Sequence, residues 1–494
     1  DKSDIIDIQD GGEIQKYSDL SFDPNIRKLE SDYYIDSTDS QIHLANFSGV
    51  GGSTVLFSAQ YPRFHESDFK IFSNEGVGAD WPILYRDLKK YYEIDQKITG
   101  VSGLEGDTFY PDISNLMPPV PLGPMGIKLK NAFDSLGWHC WPAYSAINTV
   151  PYLGRPADNY LRPSNLGDIT GSKGSADKTY LPRSIKNGLI MKTRCNVVKI
   201  ETCSNKVHSI KYLDQNNCPR EAKAKIYLLA ASGVGTPRLL LHSRNSENKQ
   251  GIANTSGLVG KNLMLHPLGY IEGHFKENLF SSLGPQGCCL LSQEFYETRK
   301  EHEFKRGYTF QVLRGPLLIE SATSLLARKM LKLGTKNFLG EFLSKYDHTA
   351  HMTVITEDFP ELSNKVELNY QTKDKFGMPG ISVKYKMSEN TKKMLSHGLS
   401  KGRILFKEAG AQKTFAFGPV KNTGWHIMGT CKMGDNPNES VVNKFGKCHD
   451  LENLFISDSS IFSSSAGVNP ASTINALSLY IADCIYEKFK NNEA

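Results

Sequence analysis

The chain has 494 residues, and its 58 Lys and Arg stand against 53 Asp and Glu with no long basic run. Steering of nucleic acid or of an anionic membrane surface is therefore not implied. Nine cysteines with no CxxC pair, and one adjacent pair at Cys288-Cys289, fit neither a disulfide framework nor a zinc site and read as free thiols.

That length gives a prior of roughly three domains of about 150 residues, although large α/β enzymes often interleave two instead. No apolar stretch reaches the roughly 18 residues of a membrane span, so the chain reads as soluble, with a cytoplasmic setting favoured. Asp1-Lys2-Ser3-Asp4 also lacks the basic-then-apolar order of a secretory signal.

In chain order, Ile5 to Ile8 followed by Gln9-Asp10-Gly11-Gly12 predicts a short strand closed by a tight turn. It looks like the second strand of a Rossmann unit. Ser48-Gly49-Val50-Gly51-Gly52-Ser53-Thr54 is a segment whose glycines let backbone approach a phosphate or ring closely, although alone it reads equally as a surface loop. Asp80-Trp81-Pro82 to Val101 predicts an amphipathic helix carrying Leu84, Leu88, Tyr91 and Tyr92. A Pro-rich loop follows at Met117 to Pro121, and residues 151 to 178 predict a long loop.

Three β-patterned runs come next: Leu189 to Arg194 continuing into Val197 to Ile200, Val207 to Tyr212, and Ala224 to Ala230. Their short polar turns predict a meander. The last run leads through Ser232-Gly233-Val234-Gly235 into a helix at Thr236-Pro237-Arg238. Residues 266 to about 415 mix strand and helix patterns and predict a second, substrate-facing domain. From Asn469-Pro470 the apolar residues Ile474, Leu477, Ile481 and Ile485 recur at spacings of three and four, so Asn469 is expected as an N-cap and Pro470 in the first turn.

Gly233-Val234-Gly235 is half of a GxGxxG fingerprint, with Arg238 at the third glycine position and no clear acidic ribose ligand after it, which makes a poor nicotinamide site. The helix start at Asn469 would favour negative charge placed beside it. His426, in Gly424-Trp425-His426-Ile427-Met428-Gly429-Thr430-Cys431-Lys432-Met433-Gly434, is an imidazole able to take a hydroxyl proton near neutral pH. No GxSxG elbow, HExxH zinc motif or Walker A loop is present, which argues against the commonest hydrolases and NTPases.

The His426 segment, the strand Asn453 to Asp458 and Val468-Asn469-Pro470 together resemble the C-terminal signature of the glucose-methanol-choline (GMC) oxidoreductases, FAD enzymes that oxidise alcohols. Gly260-Lys261-Asn262-Leu263-Met264-Leu265-His266-Pro267 resembles a further family motif, and the resemblance runs from about residue 5 to 494. It implies an α/β fold: a Rossmann-like FAD-binding domain built from discontinuous segments (1–60, 181–265 and 416–494), an α+β substrate domain (266–415), and linker, lid and substrate-domain elements at 61–180. It implies hydride transfer from an alcohol carbon to flavin, with His426 as base and Asn469 holding the substrate oxygen. Gly51, Gly52, Ser53, Val197, Asp458, Asn469 and Pro470 are expected at the FAD, with no metal. The implied partners are a small-molecule alcohol or sugar and an electron acceptor that the sequence does not name.

Four departures accompany the resemblance. The family's first strand, GxGxxG turn and helix are missing before Ile5, Gln9 stands where a ribose-binding acid is usual, Phe57 replaces an Asn, and Ser232 replaces a Gly. Two functions follow as alternatives: an FAD-dependent alcohol dehydrogenase or oxidase, or a cofactor-deficient derivative acting as a binding or structural protein. Residues 1–494 alone are expected to retain little FAD and to aggregate.

Overall fold

The computed structural model describes residues 32–161, 167–285, 287–316, 318–327 and 329–490. The strand expected over Ile5 to Ile8 lies outside them. The strands are β1 (Ile35–Ser40), β2 (Trp141–Pro142), β3 (Asn196–Cys203), β4 (Lys206–Leu213), β5 (Pro219–Ala222), β6 (Tyr227–Leu229), β7 (Leu268–His274), β8 (Gly287–Ser292), β9 (Tyr308–Arg314), β10 (Thr349–Thr356), β11 (Lys365–Lys373), β12 (Pro379–Tyr385), β13 (Lys413–Phe417) and β14 (Leu454–Ile456). The helices that matter below are α1 (Tyr85–Thr99), α2 (Gly123–Ser135), α3 (Ser232–His242), α4 (Glu389–Glu408) and α5 (Ala471–Lys490).

The largest sheet among the described residues has six strands in the order β13-β7-β10-β9-β8-β2. Its two faces follow from period-2 alternation. Ile271, Met352, Val354, Phe310 and Val312 turn to one face and form a core with Met394, Leu395, Leu399 and Phe406 of α4. Helix α4 starts at a Ser388 cap that accepts from the Thr391 N–H at 3.0 Å, and its Gly398 and Gly402 lie where a Cβ would come within 2.5 and 2.8 Å of Val354 and Ile271. Small residues at these two positions let the helix lie directly on the sheet. The opposite face carries Tyr270, Glu272, His351, Thr353 and Gln311, and it is the one that meets the site.

The predicted meander is present with altered boundaries. Leu189 to Arg194 forms no strand, and β3 begins at Asn196. The third strand of the antiparallel β3-β4-β5 sheet is Pro219–Ala222, because Asp214 accepts from the Asn216 and Cys218 N–H groups and closes the hairpin early. The apolar run at 224–230 leaves the meander, and its β6 pairs in parallel with β14. Helix α1 starts at Tyr85 and not at Asp80, since Asp87 accepts from the Leu84 N–H at 2.8 Å and closes the first turn there. Leu88 and Tyr92 face the core as expected, while Trp81, ahead of the helix, donates to Ser464 Oγ at 2.6 Å.

Arg306 is fully buried among carboxylates. It donates to Glu357 at 2.9 Å and Glu297 at 2.7 Å, and also pairs with Asp68. All nine cysteines are free thiols. Among the described residues no helix is long and apolar enough to cross a membrane.

Candidate active site

Strands β6 and β14 run parallel and end together, and the Ser457 N–H donates to the Leu229 carbonyl. Open α/β sheets bind ligands beyond such carboxyl ends. Asp458 sits there, and its Oδ2 accepts from the Ser232 N–H at 3.0 Å and the Thr236 hydroxyl at 2.6 Å, while Oδ1 accepts from the Ser460 N–H at 2.8 Å. Burial raises its carboxyl above the ordinary range, against the pull of those donors. The hydroxyl of Ser232 is buried with no hydrogen-bond partner among the described residues.

The glycines predicted as a turn ahead of a helix at Thr236 instead form the first turn of α3, which begins at Ser232, and Gly233 packs on the His426 segment. A Cβ at Gly233 would fall 2.6 Å from the Ile427 carbonyl oxygen, and Thr430 donates to the Gly233 carbonyl at 2.8 Å.

Gly51 and Gly52 have φ of 92° and 59°, and Gly52 opens a short 3-10 turn through Ser53 to Val55. The space beside Gly52 is open, whereas Asp177 lies against Gly51 with a buried Oδ1 that has no hydrogen-bond partner among the described residues. Buried Lys173 donates to the carbonyls of Val55 at 2.7 Å and Phe57 at 3.1 Å, which fixes the turn, and burial lowers its ammonium to about 8. Phe57 and Ala471, the first residue of α5, pack on the same cluster with Leu291 and Leu313. Val197 lies on β3 and is 38% exposed.

At the start of α5 the structure corrects one expectation. Pro470 is the residue before the helix, and its carbonyl accepts from the Ile474 N–H at 2.9 Å, so Asn469 stands one position outside the cap. Its amide is engaged elsewhere: Oδ1 accepts from Gln311 Nε2 at 2.5 Å, and Nδ2 faces His426 Nε2 at 3.4 Å. A long-range donor has taken the oxygen that a cap would have used.

His426 is held from its other side. Its Nδ1 lies 2.8 Å from Nδ1 of His266, whose Nε2 lies 2.9 Å from the Ala466 carbonyl and 3.2 Å from that of Ser465. Carbonyls only accept, so His266 carries its proton on Nε2 and leaves Nδ1 as a lone pair. His426 therefore donates from Nδ1, and its Nε2 is the basic nitrogen, turned to Asn469. Burial and the neighbouring His266 hold the His426 imidazole well below its usual range, and burial brings His266, 2% exposed, down to about 4. Both rings are neutral at neutral pH.

Sequence reasoning found His426 and Asn469 but assigned no role to His266 or Gln311. His266 lay inside the Gly260 to Pro267 motif. Gln311 was signalled only by its place in Tyr308-Thr309-Phe310-Gln311-Val312, where an amide interrupts a β-branched and aromatic run. Among the described residues no His, Cys, Asp or Glu group is arranged to hold a metal.

A neutral hydroxyl without a partner among the described residues at Ser232, open backbone at Gly52 and a helix start at Pro470 fit a large phosphate-bearing cofactor. In its fold the chain is similar to pyridoxine 4-oxidase from Mesorbium loti, which superposes with a TM-score of 0.64 over 96% of this chain and 92% of that one, at 15% identity. Family models described as GMC oxidoreductase match residues 158–268 and 360–478. Relatives include 2-methyl-1,2-propanediol dehydrogenase of Mycolicibacterium austroafricanum, 35% identical over 97% of this chain and 87% of that protein. The fructose dehydrogenase large subunit of Gluconobacter japonicus is 28% identical over 90% and 81%. The chain belongs to the GMC oxidoreductase family, and it is an enzyme of that family.

Proposed function

We propose that this protein oxidises a small-molecule alcohol or sugar at a CH–OH group with FAD as cofactor, as its likeness to a diol dehydrogenase and a fructose dehydrogenase supports. The glycine turn at Gly51, Gly52 and Ser53, the Asp458 turn, the backbone at Val197 and the helix start at Asn469-Pro470 would hold the cofactor. When bound, FAD supplies the hydride acceptor.

The observation that carries this reading is the fixed tautomer of His426. Its Nε2 and Asn469 Nδ2 are 3.4 Å apart, a spacing that lets one hydroxyl oxygen lie within hydrogen-bond reach of both. The neutral Nε2 takes the hydroxyl proton as the carbon gives up hydride. The Asn469 N–H donates to the same oxygen and stabilises the negative charge that grows on it. His266 keeps the His426 proton on the far nitrogen.

His426→Ala in the flavin-loaded protein is expected to slow flavin reduction by about two to four powers of ten, the usual contribution of a general base. An unchanged single-turnover rate would remove His426 from the mechanism.

A further inference from the structure

The sheet face that meets Asn469 carries more polar groups than the reacting centre uses. Strand pairing sets Thr353 of β10 directly opposite Gln311 of β9 on one side and Tyr270 of β7 on the other. Cross-strand partners share a face, with Cβ atoms about 5 Å apart, so Thr353 lies beside the glutamine that holds Asn469. Thr309, two residues before Gln311 on β9, turns to the same face.

Both threonines are buried, Thr353 at 5% and Thr309 at 1% exposure, and both hydroxyls are without a hydrogen-bond partner among the described residues. Their neighbours are committed: Gln311 bonds to Asn469, and the Tyr270 hydroxyl to His351 Nδ1 at 2.6 Å. Buried hydroxyls are nearly always paired, and a valine would fill the same strand position for a site that received only hydrocarbon. These two groups therefore await a polar partner from the substrate.

We propose that Thr353 is a specificity-determining residue that binds a second hydroxyl of the substrate, with Thr309 offering a further one, and that the substrate is a diol or polyol. This rests on the reading in which His426 and Asn469 hold the reacting hydroxyl. The register gives the spacing: Thr353 is one strand from Gln311, and Gln311 is one hydrogen bond from Asn469, so the second hydroxyl lies within a few bonds of the reacting carbon. A site built to hydrogen-bond a substrate hydroxyl discriminates strongly against the analogue that lacks it, because its own polar group is then left unpaired.

The test uses the flavin-loaded protein with 1,2-propanediol and 1-propanol as matched probes. Wild type is expected to prefer the diol. Thr353→Val is expected to lower kcat/KM for the diol by about 10- to 100-fold, mainly through KM because the contact lies away from the reacting carbon, and to change 1-propanol by less than about 2-fold. Thr353→Ser, which keeps the hydroxyl, is expected to retain the preference. Equal losses on both alcohols, or no loss on either, overturn the proposal. Oxidation of 1-propanol by wild type with no preference for the diol overturns it alone, whereas a wild type that oxidises no alcohol takes the His426 reading down as well.

Discussion

Gln311→Glu tests whether Asn469 must be held in one orientation. In the native site Gln311 Nε2 donates to Asn469 Oδ1 at 2.5 Å, which leaves Nδ2 toward His426. An ionised glutamate at this position can only accept, so the Asn469 amide turns over and presents its oxygen to the lone pair of His426 Nε2. Restoring the productive orientation then means giving up a hydrogen bond to a charged group, about 1.5–3 kcal/mol, which at about 1.4 kcal/mol per tenfold slows flavin reduction by roughly 10- to 150-fold. Protonation changes the sign, since a protonated carboxyl donates to Oδ1 as glutamine does. The variant should therefore regain its rate as pH falls, and Gln311→Met, which removes the anchor without reversing it, should lose only a few-fold. Stopped-flow flavin reduction across pH measures all three proteins. Rates equal to wild type at every pH for both variants would show that the Asn469 orientation does not matter to the chemistry.

Three further outcomes are expected. Because burial and His266 hold His426 well below 6.5, the base stays neutral on the acid side of that value, so the limiting rate of flavin reduction should stay flat as pH falls through 6.5 and decline only below it; a half-loss centred above 6.5 contradicts the buried-imidazole argument. Asp358 accepts from the Leu265 N–H at 2.9 Å and the Tyr385 hydroxyl at 2.8 Å, and burial raises its carboxyl from 3.8 to about 7. An acid raised in this way stabilises the fold most fully below the pKa it has in the unfolded chain. That stability, a few kcal/mol at roughly 1.4 kcal/mol for each pH unit separating the two values, is lost as pH rises through the folded one. Urea unfolding of Asp358→Asn should lack this decline between about pH 4 and 7, and a slope identical to wild type would exclude Asp358 as its source. Gly233→Ala places a methyl 2.6 Å from the Ile427 carbonyl oxygen, so it should lower stability by about 1–3 kcal/mol and slow oxidation by displacing the neighbouring His426; thermal melts and turnover matching wild type would show that the turn has slack.

Local pattern and chemical type are written along the chain itself. Apolar spacings of three and four predicted α1 and α5, alternation predicted most of β3 and β4, and the segments around His426, Asp458 and Asn469 carried the family resemblance that the comparisons bear out. These features are legible because periodicity and turn chemistry depend on neighbours in the chain. The choice of partner comes from long-range packing. The 224–230 run reads as a third meander strand, yet β6 pairs with β14, from more than 200 residues further along, because nothing local distinguishes one buried strand's mate from another. Asn469 reads as a helix cap, and its side chain is taken instead by Gln311 from the sheet. His266 and His426, 160 residues apart, meet at 2.8 Å, and only that meeting fixes which nitrogen is basic. A buried polar group must find a partner, and which one it finds depends on how distant strands and turns are brought together, a property of the assembled fold that no window of sequence contains.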